Sequence, residues 1–541
     1  MRLKMSHGGP VGKGKTPEVM GRSGTAEFAE AALAERPFDY MFGGLANDPS
    51  ARLPQGDTAT TIGHLMNLGE KMVNNDNPDE TNSSIPPVYT YWGQFIDHDI
   101  TATMNKPGND SDIDPDNFTP LSPDQVRQGL KNVRTTAFDL DSVYGGGPDV
   151  NPEMYEADGI RLKVGTVAEV GVVPPPDGDL KRDLPRGEDP DTTDPKLATI
   201  GDSRNDENLL VAQFHLAFLR FHNQAVEWVQ NQGSYASDDE VFAEARKLTQ
   251  LHYQWLVVND YLPNVTAHGT VDKVLQGGRK FYNPTGEAFA PIEFSAAAYR
   301  FGHSMVRDAY DHNLNFGRGT NPNREQEGKF EQMFQFTGGG GFFGLDTLPA
   351  NWIIEWDRFI DHGSSFDNDA DGSPPRFARK IDTHLAPPLG VMRNEGNDPA
   401  ITMDMRDLAK HLAQRNLLRG YLLSVPTGQA VADEMGITTL STAELQQGNS
   451  ADLNQTLTDG GFLTKTPLWY YVLKEAEVRE NGEALGDVGS RIVVETMVGM
   501  MECDEHSYLS TNWQPSEGVR LTNGDPIVTI GDFLKFAGVL A

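Results

Sequence analysis

Two long stretches of helical spacing, residues 207–230 and 238–260, constrain this chain more than any other feature. The first places Leu210, Phe214, Ala217, Phe218 and Phe221 on one stripe, the three-and-four spacing of a helix buried along one face. The second opens on Ser237-Asp238-Asp239, an N-cap cluster, and then repeats at the same spacing. Helical spacing also runs through 59–73 and 89–100, and further helices are expected at 404–423, 427–435 and 487–502. Strand signals are few and short, and no internal repeat occurs. The sequence therefore predicts a mainly α-helical fold with long ordered loops and a few short β elements.

The 541 residues exceed the roughly 250–300 at which single cores stop growing, which favours more than one domain. A helical enzyme wrapped around a buried cofactor escapes that limit. The expected organisation is a loose tail over 1–35, rich in Gly, Lys and Ser, followed by one domain over 36–541. The net charge of −33 is spread along the chain, and such a surface repels nucleic acid and anionic membranes. The one cysteine, Cys503, excludes an intramolecular disulfide and a thiolate metal cluster. No run of about 18 apolar residues occurs, so no membrane span is expected. The N-terminus is basic without an apolar stretch and does not read as a Sec signal, which leaves cytoplasmic residence or leaderless export. The oligomeric state is not written in these features.

Four stretches carry candidate chemistry. In YTYWGQFIDHDIT (89–101), a helix puts Gln94, Asp97 and His98 on one arc, while Asp99 turns about 100° further round. Either this is an exposed charged helix end, or one helix aims an imidazole and a carboxylate into a pocket. GDSRNDE (201–207) leads into the long helix. Asp202 or Ser203 could cap it, and Asp202, Asp206 and Glu207 suit the helix dipole. Arg204 works against the dipole and needs another reason. His215 and His222, seven apart, read as packing histidines. In FSAAAYRFGHSMVRDAY (294–310), small residues precede Tyr299-Arg300-Phe301-Gly302-His303. A helix there would let a flat group approach the backbone, although a lone histidine is more often a satisfied core residue. In RTTAFDLDSVYGGG (134–147), Thr135, the Ala137 carbonyl, Asp139 and Asp141 alternate like oxygen ligands of a hard cation, or form an Asx-turn loop.

Together these stretches resemble the haem peroxidases of the peroxidase–cyclooxygenase superfamily, the animal type that includes myeloperoxidase and lactoperoxidase. The resemblance runs in order from about residue 58 to 515. It adds RNLLRG (415–420) with Val425-Pro426, and MECDEHSYLSTNWQP (501–515), which resembles the family's C-terminal signature. It implies haem b and calcium as cofactors. His98 would be the distal acid–base residue with Gln94 beside it, and Arg204 the distal arginine. His303 would be the axial iron ligand, with Asn416 on its other ring nitrogen. Arg300 and Arg419 would pair with haem propionates. Asp97 and Glu207 match the carboxylates that form haem esters in mammalian members. Asp99, Thr135, Ala137, Asp139 and Asp141 would bind calcium.

The implied activity is oxidation of halides, thiocyanate or small aromatic donors by hydrogen peroxide through a ferryl intermediate. A neutral imidazole can carry the peroxide proton, and a permanent guanidinium can stabilise the developing charge. There are departures. Asn208 stands where a sulfonium-forming methionine would, and Asp141 where mammalian members carry serine. Fatty-acid dioxygenases of the superfamily carry a radical tyrosine three residues before the proximal histidine; that position here is Arg300, with Tyr299 one residue off. A non-catalytic haem-binding or adhesive protein is the other alternative. GGGFFG (339–344) fits a Gly-rich motif but lacks the strand before it and the helix after it, so it reads as a loop; DNDADG (367–372) imitates an EF-hand start but has Ala378 at the twelfth position and reads, like the run Asp110–Asp116, as an acidic surface loop.

Overall fold

The computed structural model of the chain describes residues 36–73, 81–105, 113, 118–170, 178–187, 194–233, 235–317, 327–360, 377–393, 395 and 402–540. The tail expected over 1–35, the DNDADG loop, and the Asp110–Asp116 run apart from Ile113 lie outside these residues. The fold is mainly α-helical, as expected. The helices that matter for the site are α1 (Thr58–Met72), α2 (Val88–Ile100), α3 (Leu209–Gln232), α4 (Asp238–Leu256) and α5 (Leu412–Leu422). Four short strands, β1 (Arg36–Asp39), β2 (Thr103–Asn105), β3 (Leu130–Asn132) and β4 (Ala290–Pro291), form a sheet in the order β2-β3-β1-β4. Only the β1–β4 pair is parallel. Among the described residues no helix is long and apolar enough to cross a membrane.

The predicted apolar stripe of α3 is buried as drawn: Leu210, Phe214, Ala217, Phe218 and Phe221 all lie in the core. Phe218 stacks on Phe95 of α2 with ring centroids 4.4 Å apart, and Phe214 meets the same ring edge-on at 5.5 Å. This aromatic contact fixes α2 on α3 and directs the opposite face of α2 away from it. Helix α1 approaches α5 so closely that a Cβ at Gly69 would lie 2.8 Å from the Gln414 backbone nitrogen, so only glycine fits there.

Three helical expectations change. The stretch 404–423 is two helices, Met403–Lys410 and α5, because His411 leaves helical geometry and its ring accepts from the Gln414 N–H, restarting the chain as an N-cap. The second long stretch stays α-helical only to Leu256 and then relaxes into one π-helical turn, Val257–Tyr261. The 294–303 stretch is not one helix either. A short turn, Ile292–Ser295, ends where Ala297 adopts φ −136° and ψ −78°, and a 3-10 segment, Ala298–His303, follows. In a 3-10 helix residues three apart eclipse, so Arg300 and His303 share one face. The Gly-rich decoy contains a 3-10 turn, Gly341–Gly344, within a loop.

Candidate active site

His98 lies one turn on from Phe95, on the same side of α2, and is buried. Burial first, then the positive charge of Arg204, pulls its pKa down to about 3, so the ring is neutral near pH 7. Its Nδ1 lies 2.8 Å from Oδ1 of Asn205. Gln94, one turn back, accepts from Nδ2 of Asn208 at 3.0 Å through Oε1, which leaves its own NH2 group as a donor. Asp97 accepts from the Thr101 hydroxyl at 2.7 Å and lies 4.0 Å from Nη2 of Arg300.

The distal segment explains Arg204. Asp202, not Ser203, caps the short 3-10 turn Ser203–Asp206, and Asn208 caps α3 by accepting from the Val211 N–H. The Arg204 guanidinium is held by the Asp202 carboxylate, the Thr101 carbonyl and the His98 carbonyl, each hydrogen bond from an Nη atom being 2.7–2.9 Å. One Nη1 proton remains for the neighbouring cavity. Burial alone would raise Asp202, but Arg134 and Arg204 outweigh it and hold that carboxyl far below the usual range. Asp206 turns the other way and accepts from Arg186 and the Gly338 N–H, tying the Gly-rich loop to the distal segment. Glu207 is buried, and burial pushes its carboxyl well above the ordinary range.

A pocket lies beside these groups. Asp97, Arg204, Arg300 and Arg419 line it, together with apolar Phe38, Leu130, Ile292 and Leu423 and the small residues Ser295 and Ala296. The two arginines that the resemblance assigns to haem carboxylates thus line one pocket. The two guanidinium groups match the charge of a doubly anionic ligand. His98, Gln94, Glu207, His303 and Asn416 are not part of its lining. His303 lies on the 3-10 segment that packs against α2. Its Nδ1 is 2.7 Å from the side-chain amide of Asn416, which α5 carries into the site. Arg300 donates Nε to the Ser295 carbonyl at 2.8 Å, and its own carbonyl accepts from Trp469.

Asp99 turns away from the cavity, as its helical phase predicts. It is fully buried; Oδ1 accepts from the Ser142 hydroxyl at 2.9 Å, and Oδ2 makes no hydrogen bond. Burial, then the charges of Asp141 and Asp139, raise its pKa well above the ordinary value. The 135–141 loop is strained: Phe138 and Leu140 are buried with φ of 52° and 58°. Within it Asp141 accepts from the Thr135 N–H, Asp139 accepts from the Thr135 hydroxyl, and the Ala137 carbonyl accepts from Gln254 at 3.2 Å. Among the described residues no three His, Cys, Asp or Glu side chains converge as a metal site. Asp99, Asp139 and Asp141 are neighbours, but Arg134, Thr135 and Ser142 engage them. This differs from the formed oxygen cage that the loop sequence suggests. The distal segment crosses the loop so tightly that a Cβ at Gly201 would lie 2.6 Å from the Ser142 carbonyl oxygen.

Sequence reasoning missed Asn205, Asn208 and Arg134. Asparagine is among the best helix N-caps, so Asn208 was readable as the cap of α3. For Asn205 no local signal exists, because its partners are 107 and 10 residues away. His222 is a packing histidine, bonded to the Tyr144 hydroxyl and the Ile160 carbonyl. His215 instead meets the Asn205 amide at 2.9 Å.

The fold is similar to that of solved peroxidase and dioxygenase structures. In overall shape the chain is similar to peroxidase A from Dictyostelium discoideum, with a TM-score of 0.57, 16% identity and 94% of each chain covered. It is also similar to a fatty acid α-dioxygenase from Oryza sativa, with a TM-score of 0.52, 12% identity, and 90% and 77% of the two chains covered. At such identities these likenesses show the fold. The family described as animal haem peroxidase matches residues 119–338, which include the 135–141 loop, Arg204, Glu207, Arg300 and His303. That segment of the chain is similar to the animal haem peroxidase family. A peroxidase-like protein of Margaritifera margaritifera is 28% identical over 269 residues, covering 42% of this chain and 32% of that protein. The match spans about a third of the length of the curated relatives.

Proposed function

We propose that the protein is a haem-dependent peroxidase that reduces hydrogen peroxide and oxidises small anionic or aromatic donors: halides, thiocyanate or phenols. One observation carries this reading. A buried neutral imidazole, His98, is held at its carbonyl by the arginine that lines the adjoining cavity with Arg300 and Arg419. His303 would hold the haem iron, Arg300 and Arg419 its propionates, and Asp97 and Glu207 would be its ester partners. When bound, haem supplies the iron that takes the peroxide oxygen and stores the oxidising equivalents.

This chain's residues then do the following. His98 accepts the proton of the bound peroxide oxygen and returns it to the departing one, so that water leaves. The free Nη1 proton of Arg204 stabilises the negative charge that builds on that oxygen. Gln94 offers its NH2 group to a small anion or to peroxide. Asn416, bonded to Nδ1 of His303, fixes the ring and leaves Nε2 for the metal; its carbonyl end accepts when Nδ1 carries the proton. Asp99 and the 135–141 loop would bind calcium. The support is the buried Asp99 carboxyl, which the charges of Asp141 and Asp139 disfavour, and its unbonded Oδ2. Arg300 rather than a tyrosine stands three residues before His303, and Tyr299 gives its hydroxyl to Tyr261 at 3.0 Å. Both favour a peroxidase over a fatty-acid oxygenase.

The test is a steady-state screen of iodide, bromide, chloride, thiocyanate and phenols with peroxide on haem-loaded protein, beside oxygen uptake with a polyunsaturated fatty acid. Donor oxidation that His303→Ala abolishes together with the Soret band is expected. Oxygen uptake without peroxide-dependent turnover sinks the reading. Acid–organic extraction of peroxide-treated protein checks the esters: haem should stay with the chain, and Asp97→Val and Glu207→Gln should each release one link.

A further inference from the structure

The Arg204 side chain holds the backbone of His98, and the next residue holds its ring. Asn205 is fully buried, on the 3-10 turn Ser203–Asp206, with its N–H fixed on the Asp202 carbonyl. One end of its amide meets Nδ1 of His98 at 2.8 Å, and the other meets Nδ1 of His215 at 2.9 Å. His215 is itself buried on α3, the helix fixed to α2 by the Phe95 stack. The amide therefore bridges two imidazoles carried by the two helices that build the distal side.

The two ends of an amide differ in what they ask of a ring. The oxygen accepts and so requires N–H at Nδ1 of His98; the NH2 group donates and so requires a lone pair at Nδ1 of His215. A neutral imidazole with its proton on Nδ1 has its lone pair on Nε2. The reversed amide would leave the proton on Nε2 and nothing there to receive another. We infer that Asn205 is a positioning residue: anchored on His215, its amide holds the His98 ring with the proton on Nδ1 and the Nε2 lone pair presented to peroxide. This deepens the peroxidase reading and rests on it. It also gives His215 a task beyond packing, as the acceptor for the NH2 group of that amide.

Cyanide association with the haem-loaded ferric protein tests the inference without turnover, because hydrogen cyanide must give its proton to a distal base before the anion binds. Removing the acceptor in Asn205→Leu should slow cyanide association on the order of tenfold or more, in line with the weight of a positioned acid–base group. The kcat/KM for peroxide should fall in parallel, with the Soret band and the KM for donor unchanged. A second pair keeps the test open if that variant does not fold. His215→Gln offers an amide oxygen to the Asn205 NH2 group and should stay near the wild-type rate, whereas His215→Phe should be slow. A wild-type or faster cyanide rate in Asn205→Leu overturns the inference, as do equal rates in the two His215 variants. His98→Ala separates the levels. If it is slow while Asn205→Leu is not, only the positioning role fails. If His98→Ala is unchanged, or the protein takes up no haem, the peroxidase reading falls and this inference with it.

Discussion

At the scale of single residues, the site works by giving each costly group its own partner. Three ionisable groups in a row, Asp97-His98-Asp99, leave one helix in different directions. Asp97 goes to the cavity with Arg300, His98 to Asn205, and Asp99 to Ser142 beside the strained loop. Arg204 shows how far such pairing constrains substitution. Lysine keeps the charge but cannot span Asp202, the Thr101 carbonyl and the His98 carbonyl at once. Arg204→Lys should therefore lose about 10²–10³ in the peroxide step, the weight of one charge-stabilising donor, while haem stays bound. Stopped-flow peroxide reduction within a few-fold of wild type contradicts this role. The sequence announced His98, Arg204 and His303 because each sits in a distinctive local motif. Asn205 has no such mark, since its meaning comes from two rings that folding brings to it.

At the scale of elements, the distal helix is braced from two sides. On one side Phe95 lies against Phe214 and Phe218 of α3. On the other, the segment 201–204 presses on the 135–142 loop with no room for a Cβ at Gly201. Gly201→Ala must push backbone from backbone, and we expect a loss of about 1–3 kcal/mol in urea unfolding, the usual cost of overpacking. An unchanged midpoint shows the contact to be slack. The same loop gives the calcium prediction: chelation should lower Tm, and added calcium, but not magnesium, should restore it. Equal Tm with and without chelator removes calcium from the proposal. Helices α1, α2 and α3 were legible because their apolar residues repeat at helical spacing. The 3-10 segment at 298–303 was not, because a run of small residues and aromatics has no period that separates a 3-10 from an α turn. The break at His411 was hidden because a histidine cap looks like any polar helical position.

At the scale of the molecule, acid stability follows from buried histidines. Burial pulls His98, His215 and His252 down to about 3, and His222 and His312 down to about 4. The unfolded chain therefore binds these protons first. The stability they contribute is complete above about pH 6.5 and is lost as pH falls toward 4. Glu293 and Glu475, pushed up to about 7 by burial, run the other way, losing stability as pH rises from about 4.5 to 7. His312 isolates the first effect. It is fully buried among Tyr310, Trp352 and Phe359, and neither ring nitrogen makes a hydrogen bond. Relative to wild type, His312→Phe should gain more stability at pH 5 than at pH 7 in urea titrations; an equal difference at both pH values rules the linkage out.

The sequence by itself determined the helical class and the burial faces of the long helices, and it marked the residues proposed to carry the chemistry. Those follow from the period of apolar side chains and from side-chain types that few other environments tolerate. Only the tertiary structure decided which groups meet: Asn205 between two imidazoles, Arg300 across from Asp97, and Gln254 on the carbonyl of Ala137. A hydrogen bond needs its two atoms within about 3 Å, and no local spacing encodes that distance between residues a hundred positions apart.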